Sequence, residues 1–98
     1  MVKHIILWTL KDEYNNDRIK QEMKVKLEGL VGVVPGLSVM KIEINPLPSS
    51  NADVMLYSEF ENEEALRNYA THPEHVKVAD TNVRPFTDTR TVIDFEEN

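Results

Sequence analysis

One stretch limits the folds open to this chain more than any other: Val2–Leu10, V-K-H-I-I-L-W-T-L, is apolar on both faces of a strand. Its even positions carry His4, Ile6, Trp8 and Leu10, and its odd positions carry Ile5 and Leu7. The run is β-branched and aromatic, and the charged turn Lys11-Asp12-Glu13 closes it. Such a strand needs cover on each face, and it is far shorter than the ~20 apolar residues of a membrane span. The rest of the fold must supply two layers.

The next segment supplies one of them. Ile19, Met23, Leu27, Leu30 and Val31 recur at helical spacing and predict a helix over residues 17–31, capped by Asn15, Asn16 or Asp17. Gly29 then falls inside it, at a cost of about 1 kcal/mol relative to alanine, and Gly32 suits a left-handed exit. After the Pro35-Gly36 turn, residues 37–45 read as a second strand, 46–51 as a loop of breakers, and 52–61 as a third strand. That third strand places Val54, Leu56, Ser58 and Phe60 on one face and Met55, Tyr57 and Glu59 on the other. Asn62 caps a second helix whose first turn holds Glu63 and Glu64, and whose inner face is Leu66, Tyr69 and Ala70. Pro73 breaks it at His72 and starts a third helix over residues 73–83, with Val76, Ala79 and Val83 inward and Pro85 as the stop. Residues 88–95 form the last strand.

The order is β-α-β-β-α-β with the second helix broken. It predicts an α+β, ferredoxin-like domain over residues 1–98: a four-stranded antiparallel sheet with helices on one face. The other face of the first strand then asks for a second copy of the chain, which predicts a homodimer joined through its sheet faces.

Composition removes several functions. The 98 residues include 17 acids and 11 bases, a net charge of −6, with no basic stripe for nucleic acid and no attraction to anionic membranes. There is no cysteine, so disulfides, thiol nucleophiles and thiolate metal sites are absent. The start Met-Val-Lys-His runs directly into a strand rather than a signal peptide, so a cytoplasmic protein is expected. No glycine-rich phosphate loop, nucleophilic serine motif or dinucleotide fingerprint occurs, and no cofactor is implied.

Residues 69–76, Y-A-T-H-P-E-H-V, hold two of the three histidines beside a tyrosine. Histidine titrates near neutrality, so Tyr69 and His75 form a candidate acid/base pair. A buried histidine bonded to a phenol for structural reasons is the competing reading. His72 before Pro73 reads as a cap, and His4 as a core histidine or a ligand contact. Zinc is the other sharp reading of H-P-E-H, but the proline puts its histidines on different turns, unlike H-E-x-x-H. No metal site is expected.

The opening V-K-H-I-I-L-W, the V-P-G after the first helix, the run S-E-F-E-N-E-E-A-L-R-N-Y-A-T-H-P-E-H-V and the closing V-I-D-F together resemble the stress-responsive A/B barrel (Dabb, dimeric α/β barrel) family, over nearly the whole chain. The resemblance implies a ferredoxin-like homodimer with a pocket in each protomer between sheet and helices. It also implies a site: a plant polyketide cyclase of the family uses the tyrosine and last histidine of Y-x-x-H-P-x-H, which match Tyr69 and His75, and His4 matches a further pocket histidine. Leu27 and Val54 stand where that cyclase has a tyrosine and a histidine, so a more apolar pocket is expected.

The expected pocket is therefore His4, Ile6, Trp8, Leu27, Leu56, Tyr69 and His75, suited to a small apolar or aromatic ligand. Three functions compete: a stress-associated ligand-binding domain, a cofactor-independent cyclase or isomerase using Tyr69 and His75, and, by fold analogy alone, a cofactor-free quinol-type monooxygenase.

Overall fold

The computed structural model describes residues 1–98. It contains β1 (Val2–Leu10), a 3-10 turn at Asp12–Tyr14, α1 (Asp17–Glu28), β2 (Leu37–Glu43), β3 (Val54–Phe60), α2 (Glu63–Thr71), α3 (Pro73–Val78), a π-helical turn at Ala79–Val83 and β4 (Thr87–Glu96). The sheet order is β2-β3-β1-β4 and every neighbouring pair is antiparallel. β3 is thus inserted between β1 and β2, the split βαβ arrangement of a ferredoxin-like domain.

Local chemistry sets the helix starts. The Asn16 side chain accepts the Ile19 N–H at 3.0 Å, and the Asn62 side chain accepts the Ala65 N–H at 2.8 Å. His72 does the same for α3, its Nδ1 accepting the Glu74 N–H at 3.1 Å, and Pro73 follows where a missing N–H costs nothing. α1 is then tied to the sheet: Glu28 accepts the Ile42 N–H at 3.0 Å and Lys24 at 2.8 Å, while Lys24 also donates to the Ile42 carbonyl at 2.9 Å. Glu28 is held below the usual carboxylate range, since partial burial, which raises it, is outweighed by these bonds.

Several boundaries differ from the expected ones. α1 stops at Glu28, so Gly29 caps it rather than lying inside it, and Leu30 packs into the core from the following turn. Gly32 has the expected left-handed backbone, φ 86°. Ala70 is exposed, and Ala65 takes its place beside Tyr69 on the inner face of α2. Regular α-helix in the last helical segment ends at Val78, beyond which the π turn carries Ala79 and Val83 into the core. β2 and β3 are shorter than expected, and β4 extends one residue further at each end.

The core lies between the sheet and α1 and α2, with Met23, Ile42 and Phe60 entirely enclosed. The opposite sheet face is open. There Ile5 pairs with Ile93 and Tyr57, and Leu7 pairs with Met55, leaving Leu7 41%, Ile93 58% and Phe95 36% exposed. The two faces of β1 thus meet different fates.

Candidate functional site

Strand alternation points Ile6 and Trp8 of β1 and Leu56 of β3 toward the helices, where Leu27 of α1 descends between them. These four apolar side chains line one side of a cavity of about 310 Å³. The α2–α3 bend closes another side with Tyr69 and His75, and Ala79 and Val83 come from the π turn. A second cavity of about 380 Å³ adjoins it, sharing Ile6, Tyr69, His75 and Arg90 and adding His4, Val92 and Asp94.

Of the expected pocket residues, Ile6, Trp8, Leu27, Leu56, Tyr69 and His75 converge on the first cavity, whereas His4 borders only the second. His4 is buried, and its Nδ1–H donates to the Asp94 carboxylate on the neighbouring strand. Its ring meets those of Phe60 and Tyr69 edge-on, each at 6.3 Å. This histidine is fixed at one nitrogen by a carboxylate and along its edge by aromatic rings.

The Tyr69 and His75 rings lie against each other, centroids 4.0 Å apart and planes tilted by 32°. The phenol–imidazole hydrogen bond of the competing structural reading is not formed: the pair stacks. His75 instead directs Nδ1 at the Ala70 carbonyl, 3.3 Å away, which makes Nδ1 the protonated nitrogen and leaves Nε2 as an unbonded acceptor. Burial, reinforced by the Arg84 guanidinium, holds His75 below the ordinary imidazole range despite the bond to Ala70. Burial also pushes the Tyr69 phenol up, against the pull of Arg90, so at neutral pH it remains a hydrogen-bond donor. A neutral base and a protonated phenol therefore share one wall, the pairing that proton abstraction beside a carbonyl requires.

Three polar residues that the sequence did not single out join this apolar lining. Arg84, Thr87 and Arg90 complete the lining, with Arg84 paired to Asp80 on the π turn. Arg90 was hidden from sequence reasoning because its placement depends on register: β4 pairs Trp8 with Arg90, Ile6 with Val92 and His4 with Asp94, and a bulge at Thr9/Leu10 shifts the strand. Alternation along residues 88–95 carried the signal, but not which neighbour it faced. His72 is a cap and borders neither cavity, and no group of three or more potential metal ligands converges anywhere in the chain.

The stress responsive A/B barrel domain model matches residues 2–97 of the chain. The chain is 28% identical over 96 residues to a stress-response A/B barrel domain-containing protein of Arabidopsis thaliana; the match takes in 97% of this chain and spans 36% of that protein's length. Among solved structures, a dimeric protein of unknown function and ferredoxin-like fold from Bacteroides fragilis superposes with a TM-score of 0.87 at 31% identity, covering 98% of this chain and 95% of that one. The hydroxynitrile lyase of Passiflora edulis superposes with a TM-score of 0.84 over 99% of this chain and 93% of its own, but at 16% identity it shares the fold alone.

Proposed function

We propose a function from one premise: this chain belongs to the stress-responsive A/B barrel domain family. It works as a homodimer that binds a small apolar or aromatic molecule in the cavity between β1 and the α2–α3 bend. The observation that carries this reading is the cavity itself, whose Ile6, Trp8, Leu27 and Leu56 wall faces a stacked Tyr69–His75 pair. Apolar walls with a few convergent polar groups are the usual makeup of a small-molecule site.

The free Nε2 of His75 favours a second reading, proton transfer at carbon. His75 would take the proton alpha to a ketone while the Tyr69 hydroxyl donates to the carbonyl oxygen, where charge develops. One experiment separates the two. Trp8 is the sole tryptophan and lines the cavity, so its fluorescence reports occupancy. The protein is titrated with 4-phenylbutan-2-one in deuterium oxide while exchange at the alpha carbon is followed by NMR. Saturable quenching without exchange supports the binding module. Exchange about 10²- to 10⁴-fold above buffer, lost in His75→Ala, supports the enzyme. Neither quenching nor exchange across a series of phenylalkyl ketones would discard both readings.

The homodimer is supported by the dimeric state of the Bacteroides fragilis relative and by the apolar outer face that Leu7, Ile93 and Phe95 form here. Sedimentation should give about twice the chain mass of 11.3 kDa, and Ile93→Asp, which sets a charge in the middle of that face, should halve it. A parent that sediments as a monomer at micromolar concentration removes this proposal.

A further inference from the structure

We propose that the cavity selects ligands bearing a carboxylate, and that Arg90 is the residue that holds it. This deepens the ligand-binding reading above and rests on it. The chain's other three arginines each pair with an acid one helical turn away: Arg18 with Glu22, Arg67 with Glu63 and Arg84 with Asp80. Arg90 alone makes no ion pair, although it stands in a chain of net charge −6.

Its surroundings explain how an arginine stays free among so many acids. On the helix side of β4 the position after Arg90 is the apolar Val92, and the one after that, Asp94, is engaged by the buried His4 on β1. Asp88 precedes Arg90 at the β-bulge and lines neither cavity. Arg90, by contrast, lines both. The guanidinium therefore sits where the apolar wall ends, with its fork of donors uncommitted.

That juxtaposition matches one ligand chemistry. The planar guanidinium takes a carboxylate through two parallel hydrogen bonds, which gives orientation as well as attraction. The apolar wall takes the hydrocarbon or aromatic body. Because the chain as a whole repels anions, a ligand acid gains little from the long-range field and depends on this one contact. Held there, the body of the ligand reaches past Tyr69 and His75 toward Trp8.

The test compares phenylalkanoic acids of two to six chain carbons with their primary amides, matched in size and shape but uncharged, using Trp8 fluorescence. The acid of the best-fitting pair should bind about tenfold more tightly than its amide, and Arg90→Gln should narrow that preference to under about threefold. Raising the salt concentration should weaken the acid more than the amide. Equal affinity for acid and amide in the parent overturns the carboxylate proposal and leaves the ligand-binding reading standing. A preference that survives unchanged in Arg90→Gln also overturns it, by placing the selecting charge elsewhere. If no acid and no amide binds while a phenylalkyl ketone does, the carboxylate proposal falls and the ligand-binding reading stands; if none of them binds, both fall.

Discussion

The helix-facing side of the sheet divides into two halves that follow the same alternation and reach opposite ends. Over β2 and β3, α1 and α2 seal Ile42 and Phe60 from solvent, and Glu28 and Lys24 pin α1 to the edge strand. Over β1 and β4 only the inner strand is covered: Ile6 and Trp8 of β1 are buried, while β4 contributes exposed Arg90 and Asp94 with half-buried Val92. Both halves present side chains at two-residue spacing, so strand pattern does not separate them. Helix length does. Where the second helical segment is broken at Pro73 and ends early, the sheet is left partly uncovered, and the cavity occupies that gap.

Deleting one side chain from each half should have very different effects. Phe60→Ala removes a wholly enclosed ring and should cost about 3–5 kcal/mol in urea unfolding, since the packed surroundings cannot collapse to fill the space. Val92→Ala, on the half-covered strand, should cost less than about 1 kcal/mol, because water already reaches it. Equal losses at the two positions would mean that β4 is as well packed as β3, and the division described above would be lost.

A smaller effect tests the seam that seals the first half. Gly36 has φ 81°, and a Cβ there would come within 2.5 Å of the Ala65 Cβ at the start of α2. Gly36→Ala should therefore cost about 1–3 kcal/mol from strain and overpacking together. Gly32, with φ 86° but open space around it, provides the contrast: Gly32→Ala carries the backbone strain alone and should cost less. If the two variants lose the same stability, the close approach of α2 to the β2 entrance is not a stabilising contact.

The sealed half was the more legible in the sequence, and for a physical reason. Its signals are local: Asn62 caps within three residues, and the alternation of Val54, Leu56, Ser58 and Phe60 names the buried face by itself. Even there periodicity overshot, because Leu30 keeps the helical spacing while lying beyond the Gly29 cap. The open half depends on pairings between the two ends of the chain. His4 with Asp94 and Trp8 with Arg90 are set by the β1–β4 register and its bulge, which no short window contains. Tyr69 and His75 could be named from their motif, but whether they bonded or stacked depended on the Ala70 carbonyl turning one imidazole nitrogen away.

The smallest effect lies at the boundary between the halves. Burial holds His75 below the ordinary imidazole pKa of about 6.5, so between its native value and 6.5 the unfolded chain binds the proton that the native chain refuses. The contribution of neutral His75 is thus fully present above about pH 6.5 and is lost as pH falls through that value toward the native pKa. The urea midpoint of the parent should drop from pH 7.5 to 5.5 by more than that of His75→Gln, which has nothing to protonate there. The difference should be small, because the ring is only half-buried and solvent screens its charge. A carboxylate ligand at Arg90 would shrink it further, by bringing a negative charge near the imidazole and raising its pKa. Equal drops in parent and variant would mean that the ring is solvated in both states, and the lowered pKa of His75 would have no physical cause.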